Sequence, residues 1–305
     1  MPCCATRYTS KSVSEKYQKV ENAGEKTASS PQPSPPEEER GTIFQTRPKM
    51  NTDETKIEIQ NLTMAYGSYV VMRDISAGVK RGSIFVIMGN SGSGKSTLLR
   101  HMIGLQRPVS GDVLYDGTRF WAMDEEARRI QLRKYGVLFQ SGALWSSMTL
   151  AENVALPLIE YTDWSATDRE EIVRLKLALV GLNGFEDYYP AEISGGMRKR
   201  AGLARAMALD PEILFFDEPS AGLDPITSRN LDKLILELRD SLRTTIVVVT
   251  HELASIFNIG DDSIFLDADT KTMRAQGNPN ELLKNSDDAK LRAFLTRGGD
   301  VFTPQ

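Results

Sequence analysis

The stretch "SIFVIMGNSGSGKSTLLRHMIGL", residues 83–105, decides the fold. Residues 84–88 are apolar without alternation, as in a strand buried on both faces of a sheet. The residues after Thr97 read as a helix. Between them "GNSGSGKST" (Gly89, Asn90, Ser91, Gly92, Ser93, Gly94, Lys95, Ser96, Thr97) fits G-x-x-x-x-G-K-[ST]. A preceding strand and a following helix are the context in which that pattern cradles phosphate. Gly89, Gly92 and Gly94 allow backbone conformations that aim successive N–H groups at phosphate oxygens, and the helix opening near Lys95 adds its positive end. Lys95 is placed for the β- and γ-phosphates and the Ser96 hydroxyl for a Mg²⁺ ion, so the expected ligand is a nucleoside triphosphate.

Outward from this loop, three more apolar runs repeat the buried-strand pattern: "GVLF" at 136–139, "ILFF" at 213–216 and "IVVV" at 246–249. Together they predict an α/β fold with a mainly parallel sheet covered by helices. "KIEIQNLTM", "MRDISAGVKRG" and "GDVLYDGTR" alternate and carry turn residues, which predicts a separate antiparallel piece near the N-terminal side. From about 149 to 193 the reading is helical, with "DREEIVRLKLALVGL" the clearest amphipathic segment and Gly181 its stop.

Two acidic residues end the "ILFF" strand. Asp217 is placed to hold Mg²⁺, and Glu218, pointing elsewhere because strand side chains alternate, suits a general base for an attacking water. His251 follows "IVVV" in the same way and is placed to bond a γ-phosphate or to orient Glu218 and water. His101, inside the helix after the phosphate loop, reads as structural. In "AEISGGMRKRAGLARA", 191–206, Ser194, Gly195 and Gly196 open a helix with exposed N–H groups, an anion-binding start. The residues alone leave open whether that anion belongs to this chain's site or to another's.

Composition bounds the remainder. The 37 Lys and Arg against 41 Asp and Glu give a net charge of −4, which argues against non-specific nucleic-acid binding. The only two cysteines, Cys3 and Cys4, are adjacent, so no disulfide framework or thiolate metal site organises the fold. No apolar run approaches the roughly 20 residues needed to span a bilayer, and no secretory signal is evident. Residues 1–55, with "SSPQPSPPEEERG", have the composition of a disordered extension, and Met50 is a candidate start of the working protein.

Taken in order, the phosphate loop, "VLFQ" ending at Gln140, "ISGGM" at 193–197, the Asp217–Glu218 pair, "SAGLD" at 220–224 and "TH" at 250–251 resemble the ATPase subunits of ABC transporters. The resemblance implies a P-loop core, an N-terminal antiparallel β subdomain and a helical signature subdomain at about 141–200, within an ATP-binding domain spanning 56–285. A C-terminal helix and tail would occupy 286–305. It implies ATP as substrate with Mg²⁺, Tyr66 in "MAYG" stacking on adenine, and Gln140 touching both Mg²⁺ and the attacking water. It also implies a homodimer in which ATP is sandwiched between one copy's phosphate loop and Ser194, Gly195, Gly196 and Asp224 of the other.

"FQSGALWSSMTLAENVALPL", "SGGM" in place of SGGQ, and "DPITS" at 224–228 are closer to the lipid-asymmetry branch that works with Mce-type transporters. That likeness implies phospholipid transport between envelope membranes, a peripheral place on the cytoplasmic face of the inner membrane, an integral membrane permease and an Mce-type lipid-binding partner, and no nucleic acid. Trp145 and Met148 to Asn153 would grip the permease, and residues 288–305 would reach the partner subunit. Transport of another solute, or a non-transport ABC ATPase, are the alternatives.

Overall fold

The structure, a computed structural model, describes residues 54–298. The expected extension at 1–55 lies outside them except for its last two residues, as do the Met50 start and residues 299–305.

Strand β3 (Ile84–Gly89) is buried along its whole length. It lies between β8 (Thr245–Val249) and β9 (Asp262–Asp267), parallel to both. Beyond β8 come β7 (Ile213–Asp217) and the edge strand β6 (Tyr135–Leu138), also parallel, while β10 (Thr272–Gly277) closes the opposite edge antiparallel to β9. Four of its six strands, β3, β6, β7 and β8, are the unalternating apolar runs read from the sequence, and β9 and β10 are added by the fold.

Side chains of β3 divide with period two between two cores. Ile84, Val86 and Met88 enter one core with Leu214, Phe216, Ile246 and Val248. Phe85 and Ile87 enter the other with Phe215, Val247 and Leu266. Each such side chain contributes about 1.5–3 kcal/mol on burial, so both faces of the sheet are held.

The second core is roofed by an antiparallel sheet in the order β2-β1-β4-β5, with β1 at Thr55–Tyr66, β2 at Tyr69–Lys80, β4 at Ser110–Tyr115 and β5 at Thr118–Arg119. Lys56, almost wholly buried in β1, pairs with Asp116 at 2.6 Å and with Glu212, joining this sheet to the start of β7. Helix α1 (Lys95–Met102) lies beneath it, and α2 (Glu125–Leu132) is capped by Asp124.

Helices α3 (Leu150–Tyr161), α4 (Ala166–Leu179) and α5 (Gly195–Ala206) pack on the first core. Capping boxes at Thr149–Glu152 and Ser165–Asp168 start α3 and α4, satisfying the N–H groups that a helix leaves free. Gly181, at φ +68°, follows α4 where a left-handed residue ends a helix. The α4 face is less simply amphipathic than its sequence suggests, because Lys176 is buried beside Val173 and Leu177 and reaches out to Asp210 at 2.5 Å.

The chain continues through α6 (Pro225–Leu242), α7 (Leu253–Ile259), α8 (Pro279–Asn285) and α9 (Ala289–Leu295). Leu291 and Leu295 of α9 are buried in the first core of their own chain. One face of α9 is therefore held at home, while Lys290, Arg292 and Ala293 stay exposed.

At Gly136 on the edge strand, a Cβ would stand 2.1 Å from the Ala206 carbonyl oxygen and 2.7 Å from Leu214 Cδ2. Backbone cannot yield as a flexible side chain does. Gly136→Ala is expected to destabilise the fold by about 3 kcal/mol through overpacking, measured as a lowered urea midpoint; an unchanged midpoint would refute the close approach.

Candidate active site

The loop at 89–94 leaves the C-terminal end of β3, the end of a parallel sheet where open α/β folds bind ligands. Gly94, at φ +80°, forms the N-cap of α1, and a Cβ there would stand 2.9 Å from Val71 Cγ1. No side chain caps this helix, so its first N–H groups face the loop. Lys95 is buried and its Nζ donates to the carbonyls of Gly89 at 2.9 Å and Asn90 at 3.0 Å. Burial holds the ammonium below the usual lysine range, opposed by the carboxylates of Glu218 and Asp217.

The loop borders a cavity of about 850 Å³ shared with Tyr66, Gln140, Glu218 and His251. A nucleotide fits within such a volume. Ser96 Oγ donates to Asp217 Oδ1 at 2.8 Å, which places the two proposed metal ligands side by side. Gln140, on the wall of the same cavity, offers a further oxygen, and three such donors would suit a hard cation such as Mg²⁺ that also takes substrate phosphate oxygens. Among the described residues no group of three or more His, Cys, Asp or Glu could hold a metal by itself.

Glu218 adopts φ +51°, a left-handed conformation rare outside glycine. Such backbone costs about 1–3 kcal/mol and clusters at functional sites. It turns the side chain toward His251, whose Nδ1 lies 2.8 Å from Oε1. The other carboxylate oxygen, Oε2, is buried without a partner among the described residues. One oxygen is therefore oriented by imidazole while the other keeps its capacity to accept a proton.

Tyr66 is half exposed at the end of β1 and lines the cavity mouth with Tyr69. His101 is buried with Nδ1 2.8 Å from the Gln106 carbonyl, the structural role expected of it, and burial lowers its proton affinity.

Ser194, Gly195, Gly196 and Asp224 do not line this cavity. Ser194 caps α5 by accepting from the Met197 amide at 3.2 Å. Asp224 caps α6, with Oδ1 accepting from the amides of Ile226 and Thr227, both at 3.0 Å. Met197, the departure from SGGQ, packs partly buried against the first core.

The segment expected to grip a permease needs correction. Trp145 is exposed, but Met148, Leu150 and Asn153 are buried. The Asn153 amide donates to the carbonyls of Trp145, Met148 and Thr149, knitting the loop from inside. A buried amide that meets three carbonyls is a structural part, so within this segment only residues such as Trp145, Ser146 and Ser147 are exposed to a partner.

The cavity also meets residues the sequence reading did not single out, among them Phe294 and Arg297 from the C-terminal helix and the turn after it. Arg297 lies 3.5 Å from Glu252, the neighbour of His251. No spacing signal marks them, since α9 meets the loop only through the fold.

A phosphate loop at the end of a parallel sheet, facing an acidic pair and a histidine and set beside a helical arm, defines a P-loop nucleoside triphosphatase. The chain matches the ABC transporter family over residues 72–221. It is 41% identical over 239 residues to the intermembrane phospholipid transport system ATP-binding protein MlaF of Escherichia coli, covering 78% of this chain and 88% of that protein. It is also 41% identical to the probable ribonucleotide transport ATP-binding protein mkl of Mycobacterium tuberculosis, where the match takes 78% of this chain and only 66% of the relative's length. Among solved structures, the ATP-binding cassette MJ0796, a dimer in a post-hydrolysis state with ADP and Pi, is 30% identical with a TM-score of 0.66 over 73% of this chain and 98% of that one. The chain belongs to the ABC transporter ATP-binding family.

Proposed function

We propose that this chain is the ATP-hydrolysing subunit of a phospholipid transporter. The observation that carries the chemistry is one cavity lined by Lys95, Ser96, Glu218 and His251, with Asp217 bonded to Ser96 behind its wall and the signature residues Ser194 to Gly196 outside it. ATP would be held by 89–97, with Tyr66 against adenine. Ser96, Asp217 and Gln140 would hold Mg²⁺, which when bound neutralises phosphate charge. Glu218 Oε2 accepts a proton from water as its oxygen bonds to the γ-phosphorus, and the bond from that phosphorus to the bridging oxygen breaks, leaving ADP and phosphate. His251 keeps Glu218 aimed at that water.

The helix start at Ser194 has N–H groups and a dipole suited to a γ-phosphate, yet its own chain's phosphate loop lies elsewhere. A second copy, arranged head to tail, supplies the phosphate. ATP then acts as adhesive between the copies, and its hydrolysis loosens them. Among the described residues no helix is long and apolar enough to cross a membrane. The transport path belongs to an integral permease, with this chain on the cytoplasmic face of the inner membrane.

The likeness to MlaF across most of that protein's length supports phospholipid as cargo, and the proposal of an Mce-type partner rests on the sequence resemblance alone. The mycobacterial relative's name favours a second reading, ribonucleotide transport. Purification of the full chain from its native membranes, with identification of every associated chain and of bound lipid, separates the two. A permease with an Mce-type protein and phospholipid is expected; a permease without either would overturn the lipid reading.

A further inference from the structure

Two loops reach the site from the parallel sheet, one after β6 carrying Gln140 and one after β7 carrying Glu218. Both are tied to the same helix, α5, by cations that meet backbone carbonyls. Arg205 donates to the carbonyls of Ala143 at 2.8 Å and Gly142 at 3.1 Å. Lys199 Nζ donates to Pro219 O at 2.7 Å and Ala221 O at 2.5 Å, and lies 3.5 Å from Glu218 O. Lys199 is 6% exposed, and its ammonium also feels the attraction of the Glu218 carboxylate.

A buried ammonium is a costly way to fill space. Its three N–H donors do match what this turn presents. The turn contains two left-handed residues, Glu218 at φ +51° and Gly222 at φ +74°, and three of its carbonyl oxygens converge on one point. Converging carbonyl dipoles repel one another, and a cation at their focus removes that repulsion. A neutral apolar residue of the same length would leave those oxygens unpaired.

Lys199 stands five positions after Ser194, which caps the same continuous helix of twelve residues. We propose that Lys199 is a positioning residue that locks the 218–222 turn to α5, so that the helix start at Ser194 and the base Glu218 of the same chain move together. Engagement of Ser194 to Gly196 by phosphate bound to a second copy is thereby transmitted to the chain's own base, and the two ATP sites of the pair sense one another. The inference rests on the ATPase reading and adds to it a route within one subunit.

The test uses the full chain, purified with its membrane subunits, and three variants: Lys199→Met, Lys199→Arg and Lys199→Gln. Lys199→Met is expected to lower kcat about 10- to 100-fold, as a misplaced base does, with the KM for ATP within about twofold of wild type. Its ATP dependence should also lose cooperativity, the Hill coefficient falling toward unity. Lys199→Arg, which keeps charged donors, should recover most of kcat. A purely structural lysine would instead lower thermal stability and ATP binding together. Wild-type kcat in Lys199→Met, or Lys199→Arg no better than Lys199→Met, overturns the proposal. If Lys199→Met does not fold, Lys199→Gln against Lys199→Arg decides: equal, wild-type turnover in both overturns it, and a kcat deficit confined to Gln with unchanged KM supports it. A wild-type protein without ATP turnover would overturn the ATPase reading itself, a separate failure.

Discussion

Glu218→Gln is expected to lower ATP turnover by about three orders of magnitude, the middle of the range for loss of a general base, with ATP binding retained. The substitution is nearly isosteric. Its amide oxygen can still accept from His251 Nδ1 across the 2.8 Å contact, so the histidine and the left-handed backbone at 218 have no reason to move. What changes is the oxygen that has no partner among the described residues. It becomes an NH₂ group that cannot accept a proton from water. Because ATP joins two copies in the proposed cycle, the variant should accumulate as an ATP-bound dimer on size exclusion while phosphate release stops. Unchanged hydrolysis would remove Glu218 from its role.

Lys95→Ala is expected to weaken ATP binding by about two orders of magnitude, the worth of losing charge-assisted bonds to phosphate in a partly desolvated site. Stability without nucleotide should change little. The ammonium is now held by two loop carbonyls, Gly89 and Asn90, and burial works against its charge. Its loss removes a desolvated cation and two bonds together. The measurement is thermal unfolding with and without ATP: the wild type gains stability by mass action and the variant does not. An equal ATP-induced rise in both would contradict the phosphate-loop assignment.

The two predictions use the parts most legible in the sequence. A phosphate loop is readable because its geometry demands glycine at Gly89 and Gly94, where a side chain would collide with Leu266 O or Val71. The strands β3, β7 and β8 are readable because burial on both faces leaves no room for polar alternation. Strand β9 escapes that signal, since "DSIFLD" is bounded by aspartates that look like loop residues. Asp267 there is an ion-pair partner of Arg274 and Lys290, not a turn former. Strand β10, "TMRAQG", has one β-branched residue and sits at an edge, where composition is least constrained.

Lys199 and Arg205 were illegible for a different reason. Their partners are backbone carbonyls, which every residue possesses, so no pairing of residue types marks the contact. Met148 and Asn153 misled because a surface and a core can use the same residue types, and only the fold shows which way each faces.

Strand β3 gives alternate side chains to two cores, and the phosphate loop hangs from its end. Amide hydrogens of β3 and β8 therefore cannot meet solvent through the loosening of either layer alone, and their exchange should be the slowest in the chain. The outer helices α3 to α5 rest on a single core and can breathe while the strands stay closed. The molecule should thus be graded in time, with the nucleotide cradle hung from the strands that open most rarely and the helices on its outer layer opening sooner.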